Sequence, residues 1–107
     1  MKNIFNINGL NPSQDEHFET LLINGDLRIE RIVTLVPYTE PGDWYDQESD
    51  EWVILLKGNA RIEFEAGDIT ELVAGDYVYI PAHKAHRVTW STPGETCIWL
   101  AVHSNLK

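Results

Sequence analysis

Turn signals cut this chain too finely for long helices. Asn24-Gly25-Asp26, Lys57-Gly58-Asn59, Ala66-Gly67-Asp68, Ala74-Gly75-Asp76 and Thr92-Pro93-Gly94-Glu95 each place a glycine, which takes positive φ freely, beside residues that favour a reversal. The segments between them are short, β-branched and aromatic. Leu27 to Val36 alternates, with Leu27, Ile29, Arg31, Val33 and Leu35 on one side and Arg28, Glu30, Ile32, Thr34 and Val36 on the other. Arg61 to Glu65 alternates more cleanly and should turn Ile62 and Phe64 inward. Ile69 to Val73, Tyr77 to Ile80, His86 to Ser91 and Thr96 to His103 complete the set. Trp52 to Lys57 is a continuous run that predicts a strand covered on both faces. Short strands separated this regularly by turn residues predict an all-β sandwich or barrel.

One place offers a helix start. Ser13-Gln14-Asp15-Glu16 has the form of a capping box, and Phe18, Leu21 and Leu22 follow at helical spacing. This predicts a short helix or turn over residues 13–18 and a first strand from about Glu19. At 107 residues the chain is the size of one domain, with residues 1–18 as an N-terminal arm and 27–103 as the core of the β structure. Eight basic against seventeen acidic residues give a net charge of −9. That surface repels phosphate backbones and anionic lipid, so neither nucleic acid nor a membrane is an expected partner. Cys97 is the only cysteine, which excludes a disulfide within the chain and a cysteine-based zinc site. Its apolar neighbours predict a buried, inert thiol. Met1 to Asn6 has no signal-peptide pattern and no window approaches the ~18 apolar residues of a membrane span, so a cytoplasmic location is expected.

Histidine is scarce and its placement is informative. His17 falls in the expected surface helix, where a solvated position is the simple reading. His83 and His86 flank the loop before a strand, and His86 shares a face with Val88 and Trp90. An imidazole on an apolar face is either a hydrogen-bonded core residue or a metal ligand. Upstream, Tyr45, Gln47, Ser49, Glu51, Val53 and Leu55 share one parity, a face running from polar residues at its mouth to apolar ones deeper in. Glu51 at the edge of an apolar run needs a partner: an arginine, a hydrogen-bonded network or a metal.

These residues carry a resemblance. Gly75-x5-Pro81-x-His83-x2-His86 resembles the second motif of the cupin superfamily, G-x5-P-x-G-x2-H-x3-N, with His83 at the glycine and Trp90 at the asparagine. Glu51-x6-Gly58 is similar to the end of the first motif, G-x5-H-x-H-x3,4-E-x6-G. A spacing of three puts Tyr45 and Gln47 at that motif's two histidines; a spacing of four puts Trp44 and Asp46 there. The resemblance covers residues from about Leu27 to Val102 and implies a jelly-roll (double-stranded β-helix) cupin barrel. It also implies a divalent metal at the barrel mouth, Fe, Mn, Ni or Zn, held by Glu51 and His86 with Gln47 and His83 as further ligands. Tyr45, as a phenolate ligand or as an acid or base, and His103, as a further ligand or in moving a proton, complete the candidates. The functions that follow are metal-dependent chemistry on a small molecule, of dioxygenase, lyase, isomerase or hydrolase type, or a metal-free or metal-optional pocket that binds a sugar or small acid or serves as a sensor module. Trp44, Trp52, Trp90 and Trp99 are available to line such a pocket, although core packing accounts for most of them. Single-domain cupins commonly pair, and the apolar residues on both faces of Leu27 to Val36 agree with a homodimer.

Overall fold

A computed structural model describes residues 2–10, 16–35, 44–91 and 96–104, with the side chains of residues 89–91 outside the description. Eight strands account for its regular structure: β1 (Glu16–Asn24), β2 (Leu27–Thr34), β3 (Asp50–Lys57), β4 (Asn59–Phe64), β5 (Ile69–Val73), β6 (Tyr77–Ile80), β7 (His86–Ser91) and β8 (Cys97–Ser104). They form two antiparallel sheets, β1-β2-β8-β3-β6 and β5-β4-β7. The five-stranded sheet thus brings the last strand between the second and third, a pairing of segments distant in sequence. Among the described residues no helix is long and apolar enough to cross a membrane.

Alternation decides what is buried. Val53 and Leu55 of β3, Ala60, Ile62 and Phe64 of β4, Leu72, Ile80, and Cys97, Trp99 and Ala101 of β8 form one core between the sheets. Ile62 and Phe64 point inward as their pattern predicts. The apolar run of β3 is covered less completely than expected. Its inward residues are buried, while Trp52, Ile54 and Leu56 on the other face are half-buried. Trp52 packs there against Tyr77 of the adjacent strand, ring centroids 5.4 Å apart, which covers one side of the run without a second layer.

The expected helix over 13–18 is not what residues 16–18 form; residues 13–15 lie outside the description. Glu16, His17 and Phe18 already belong to β1, paired with Thr34, Val33 and Ile32 of β2. Here the pairing offered by β2 outweighs a local capping pattern, which is worth only about 1 kcal/mol. β1 is an edge strand and leaves Leu21, Leu22 and Ile23 exposed. The N-terminal arm is tied down by Arg31 of β2. Its guanidinium donates to the Glu19 carboxylate at 2.5 and 3.1 Å, to the Ile4 carbonyl at 3.0 Å and to the Asn6 carbonyl at 2.6 Å.

Candidate functional site

The strand starts and the segment before β3 converge on one end of the space between the sheets. A cavity of about 60 Å³ lies there, lined by Tyr45, Gln47, Glu51, His86 and His103 over an apolar floor that includes Val53, Ile62 and Trp99. Two acidic residues that the sequence did not single out, Glu16 and Glu30, also line it. Glu30 could have been found. It shares parity with Ile32 and Thr34, and an acid on that buried face is anomalous in the way Glu51 is. Glu16 could not, because the capping pattern assigned it to a helix.

Backbone bonds set the position of the segment holding Tyr45 and Gln47. Tyr45 and His86 exchange N–H···O bonds of 2.8 and 3.0 Å, and the His83 amide donates to the Gln47 carbonyl at 2.8 Å. Asp50 accepts from the Ala82 amide at 2.8 Å and so holds the turn before β7 from the other side. His86 is 8% exposed. Its Nδ1 lies 3.0 Å from the Lys84 carbonyl, which assigns the proton to Nδ1 in the neutral ring. Nε2 then turns its lone pair toward Oε1 of Glu51, 3.5 Å away. Burial pulls the imidazole pKa down, but the Glu51 carboxylate and the Lys84 carbonyl outweigh it, and the net direction is upward.

His103 makes a second such pair. It is registered opposite Glu51 across β8 and β3, and its Nε2 lies 3.4 Å from Oε1 of Glu30 on the other flank. Both ring nitrogens of His103, Oε1 of Glu51 and Oε1 of Gln47 are buried without a hydrogen-bond partner. Buried polar atoms are ordinarily paired: Glu51 Oε1 and His103 Nε2 have an ionisable neighbour at 3.5 and 3.4 Å, while Gln47 Oε1 and His103 Nδ1 have none and are open to a water or a ligand. Tyr45 bonds Glu16 at 3.2 Å. Burial, then the Glu16 charge and this hydrogen bond, then Glu30 and Glu51 push its phenol up to about 12. At neutral pH it is therefore an O–H donor, which favours the acid role over the phenolate one.

The structure does not bring His83 to this group. Its ring is exposed and lies 3.0 Å from Asp46 by Nδ1, outside the cavity lining. The backbone there has φ of +63°, the left-handed region, at the position where the second cupin motif carries glycine. His83→Ala keeps that strain and loses the Asp46 contact, whereas His83→Gly relieves it. Chemical denaturation should find the glycine variant more stable than the alanine one by about 1 kcal/mol. Of the tryptophans, only Trp99 among those described lines the cavity; Trp44 lies under the Arg87 guanidinium at 3.9 Å and Trp52 packs on the outer face.

Could the residues present hold the divalent metal that the fold implies? Among the described residues no three His, Cys, Asp or Glu side chains come together as a cage. The donors that fit are fewer: the Nε2 lone pair of His86 and the unpartnered Oε1 atoms of Glu51 and Gln47. That set offers one imidazole, one carboxylate and one neutral amide, with Nδ1 of the histidine anchored on a carbonyl as metal-binding imidazoles commonly are.

Two antiparallel sheets closed around a cavity with an apolar floor and a few polar groups at one end define a jelly-roll pocket protein. The chain belongs to the cupin family: the cupin-domain profile matches residues 31–103. It is similar over 98% of its length to 97% of a Ralstonia eutropha JMP134 protein provisionally named a mannose-6-phosphate isomerase, with 39% identity and a TM-score of 0.85. A cupin superfamily protein of Desulfitobacterium hafniense DCB-2 aligns with 20% identity and a TM-score of 0.73, covering 89% of this chain and 81% of that one. An RmlC-like cupin of Shewanella frigidimarina NCIMB 400 aligns with 18% identity and a TM-score of 0.71, covering 87% and 78%. The last two likenesses concern the fold alone. No curated protein matches the chain.

Proposed function

We propose that this cupin binds a small molecule in the cavity and carries out acid–base chemistry on it, with a divalent metal held by His86 Nε2, Glu51 Oε1 and Gln47 Oε1. One observation carries the reading: a histidine lone pair and an unpartnered carboxylate oxygen face each other at 3.5 Å inside a cavity where other acceptors are also unsatisfied. When bound, the ion would supply Lewis-acid polarisation of a substrate oxygen. The chain's own residues do the rest. Tyr45 holds a proton at its hydroxyl while it bonds Glu16. His103, against Glu30, stands where an imidazole can take up or return one. The apolar floor limits water around them. Oxygen chemistry is less well supported, because His83, the second imidazole of a two-histidine and carboxylate set, turns to Asp46 instead. Isomerase, lyase or hydrolase chemistry needs only the groups that do converge.

A metal-free pocket is the second reading. The upward shift at His86 favours it, because a proton on Nε2 completes the pair with Glu51 as a cation would. Metal content separates the two. Protein equilibrated with Mn(II), Ni(II) or Zn(II) and then desalted is expected to retain roughly one ion per chain. His86→Ala should lose it and His17→Ala should keep it. Full retention by the His86 variant would sink the ligand assignment, and no retention by the unaltered protein would leave the metal-free pocket.

We also propose that two copies associate along β1, whose exposed Leu21, Leu22 and Ile23 lie on an open sheet edge. Light scattering at micromolar concentration is expected to give twice the chain mass. A monomeric mass would refute the association.

A further inference from the structure

Among the described residues the cavity is lined by three carboxylates, Glu16, Glu30 and Glu51, together with His86 and His103, and by no lysine or arginine. Three arginines are engaged in other pairs: Arg31 with Glu19, Arg61 with Glu71 and Arg87 with Glu63. Lys84 sits over the Phe64 ring at 4.5 Å. Arg28, registered opposite His103, is exposed and outside the lining.

An acidic group alone could be a solvated surface, but this one surrounds a buried imidazole with an unsatisfied ring nitrogen. His103 is 2% exposed; its Nδ1 has no hydrogen-bond partner, and its Nε2 has only the Glu30 Oε1 at 3.4 Å. Glu30 and His103 come from adjacent strands, two residues apart in register and so diagonal neighbours on one face. A neutral imidazole there offers one acceptor and one donor, and Glu30 beside it offers only acceptors.

We infer that the cavity selects a small primary amine, seating its ammonium group against Glu30 and His103 from the cavity side, and rejects carboxylated and phosphorylated molecules of similar size. This rests on the cavity being the ligand site proposed above, and it adds the chemical class of the ligand. An ammonium brings three N–H donors to a place with acceptors and, among the described lining residues, no lysine or arginine. A hydroxyl on the same molecule can accept from the remaining imidazole N–H. Trp99 and Tyr45 supply aromatic walls compatible with an alkylammonium. Charge also balances: three carboxylates are neutralised by one divalent ion and one ammonium. An entering phosphate or carboxylate would meet those same carboxylates with no arginine or lysine to hold it.

Calorimetric titration at neutral pH and low salt tests this with ethanolamine, ethylene glycol, glycolate and O-phosphoethanolamine, on protein as purified and after chelation. Ethanolamine is expected to bind at least tenfold more tightly than ethylene glycol in both preparations, with no measurable heat of binding from glycolate or O-phosphoethanolamine to the chelated protein. The isosteric Glu30→Gln should weaken ethanolamine tenfold or more, while Glu71→Gln, on the exposed Arg61 pair, should leave it unchanged. Equal or tighter binding of ethylene glycol, glycolate or O-phosphoethanolamine to chelated protein would overturn the inference, as would full ethanolamine affinity in a folded Glu30→Gln variant. If that variant does not fold, the ranking on the unaltered protein decides. Amine selectivity alongside metal retention in His86→Ala would defeat only the metal ligand set. Loss of selectivity alongside loss of metal in that variant would defeat only the amine.

Discussion

Gly58→Ala is expected to cost about 3 kcal/mol of folding stability, read as a lowered urea midpoint with an unchanged slope. Gly58 turns β3 into β4 with φ of +88°, where an L side chain adds about 1–2 kcal/mol of strain. The second contribution is steric. A Cβ built there would meet Cys97 Sγ at 2.5 Å, with the Cys97 Cα and the Thr96 carbonyl each at 3.3 Å. Cys97 is wholly buried, with its thiol toward the Asn59 carbonyl at 3.4 Å, so the sulfur has little room to retreat. Combining Gly58→Ala with Cys97→Ala should recover the steric part and leave the strain, a loss smaller than the sum of the single changes. Additive losses would show that the close approach to Cys97 is not what makes glycine necessary here.

Arg31→Met is expected to cost about 2 kcal/mol and to loosen residues 3–8. Removing one member of a buried ion pair commonly costs about 3–5 kcal/mol, but Glu19 is a third exposed and can be rehydrated, which lowers the figure. The Ile4 and Asn6 carbonyls would also lose their donor. Hydrogen exchange should rise at the amides of the N-terminal arm while those of β3 and β8 change far less. Arg61→Met, which breaks a pair exposed on both sides, provides the contrast and should cost under about 0.5 kcal/mol. Equal costs for the two arginines would mean that the arm bonds contribute nothing.

Much of the barrel was legible from residue pattern. β5, β6 and β7 occupy the segments that their turn residues delimit, and Ile62 and Phe64 point where alternation puts them. What failed was local reasoning applied to a residue with a distant partner. Ser13 to Glu16 reads as a capping box because nothing nearby competes, yet Glu16 pairs with Thr34 of a strand that follows it by many residues. The run of β3 reads as doubly covered because hydrophobicity does not distinguish a second sheet from a single tyrosine on the next strand.

The candidate site was legible in part for the same reason. Glu51, His86, Gln47 and Tyr45 could be singled out because motif spacing and parity are local. They do line one cavity. Where His83 points depends on a φ angle and on Asp46, and neither is written in spacing. His103 and Glu30 meet only because β8 inserts beside β2, a fact of topology that no window of sequence contains.

The two amide bonds between Tyr45 and His86, with the third from His83 to the Gln47 carbonyl, use main-chain atoms alone. Side chains at 45 and 47 can therefore be exchanged without surrendering the tether that presents them. A scaffold of this kind separates the inheritance of shape from the inheritance of chemistry. Substitutions can accumulate at the rim and redirect what the pocket accepts, while the frame that aims them stays in register. Tyr45 and Gln47 in place of a pair of imidazoles would then be a different reagent on the same mount.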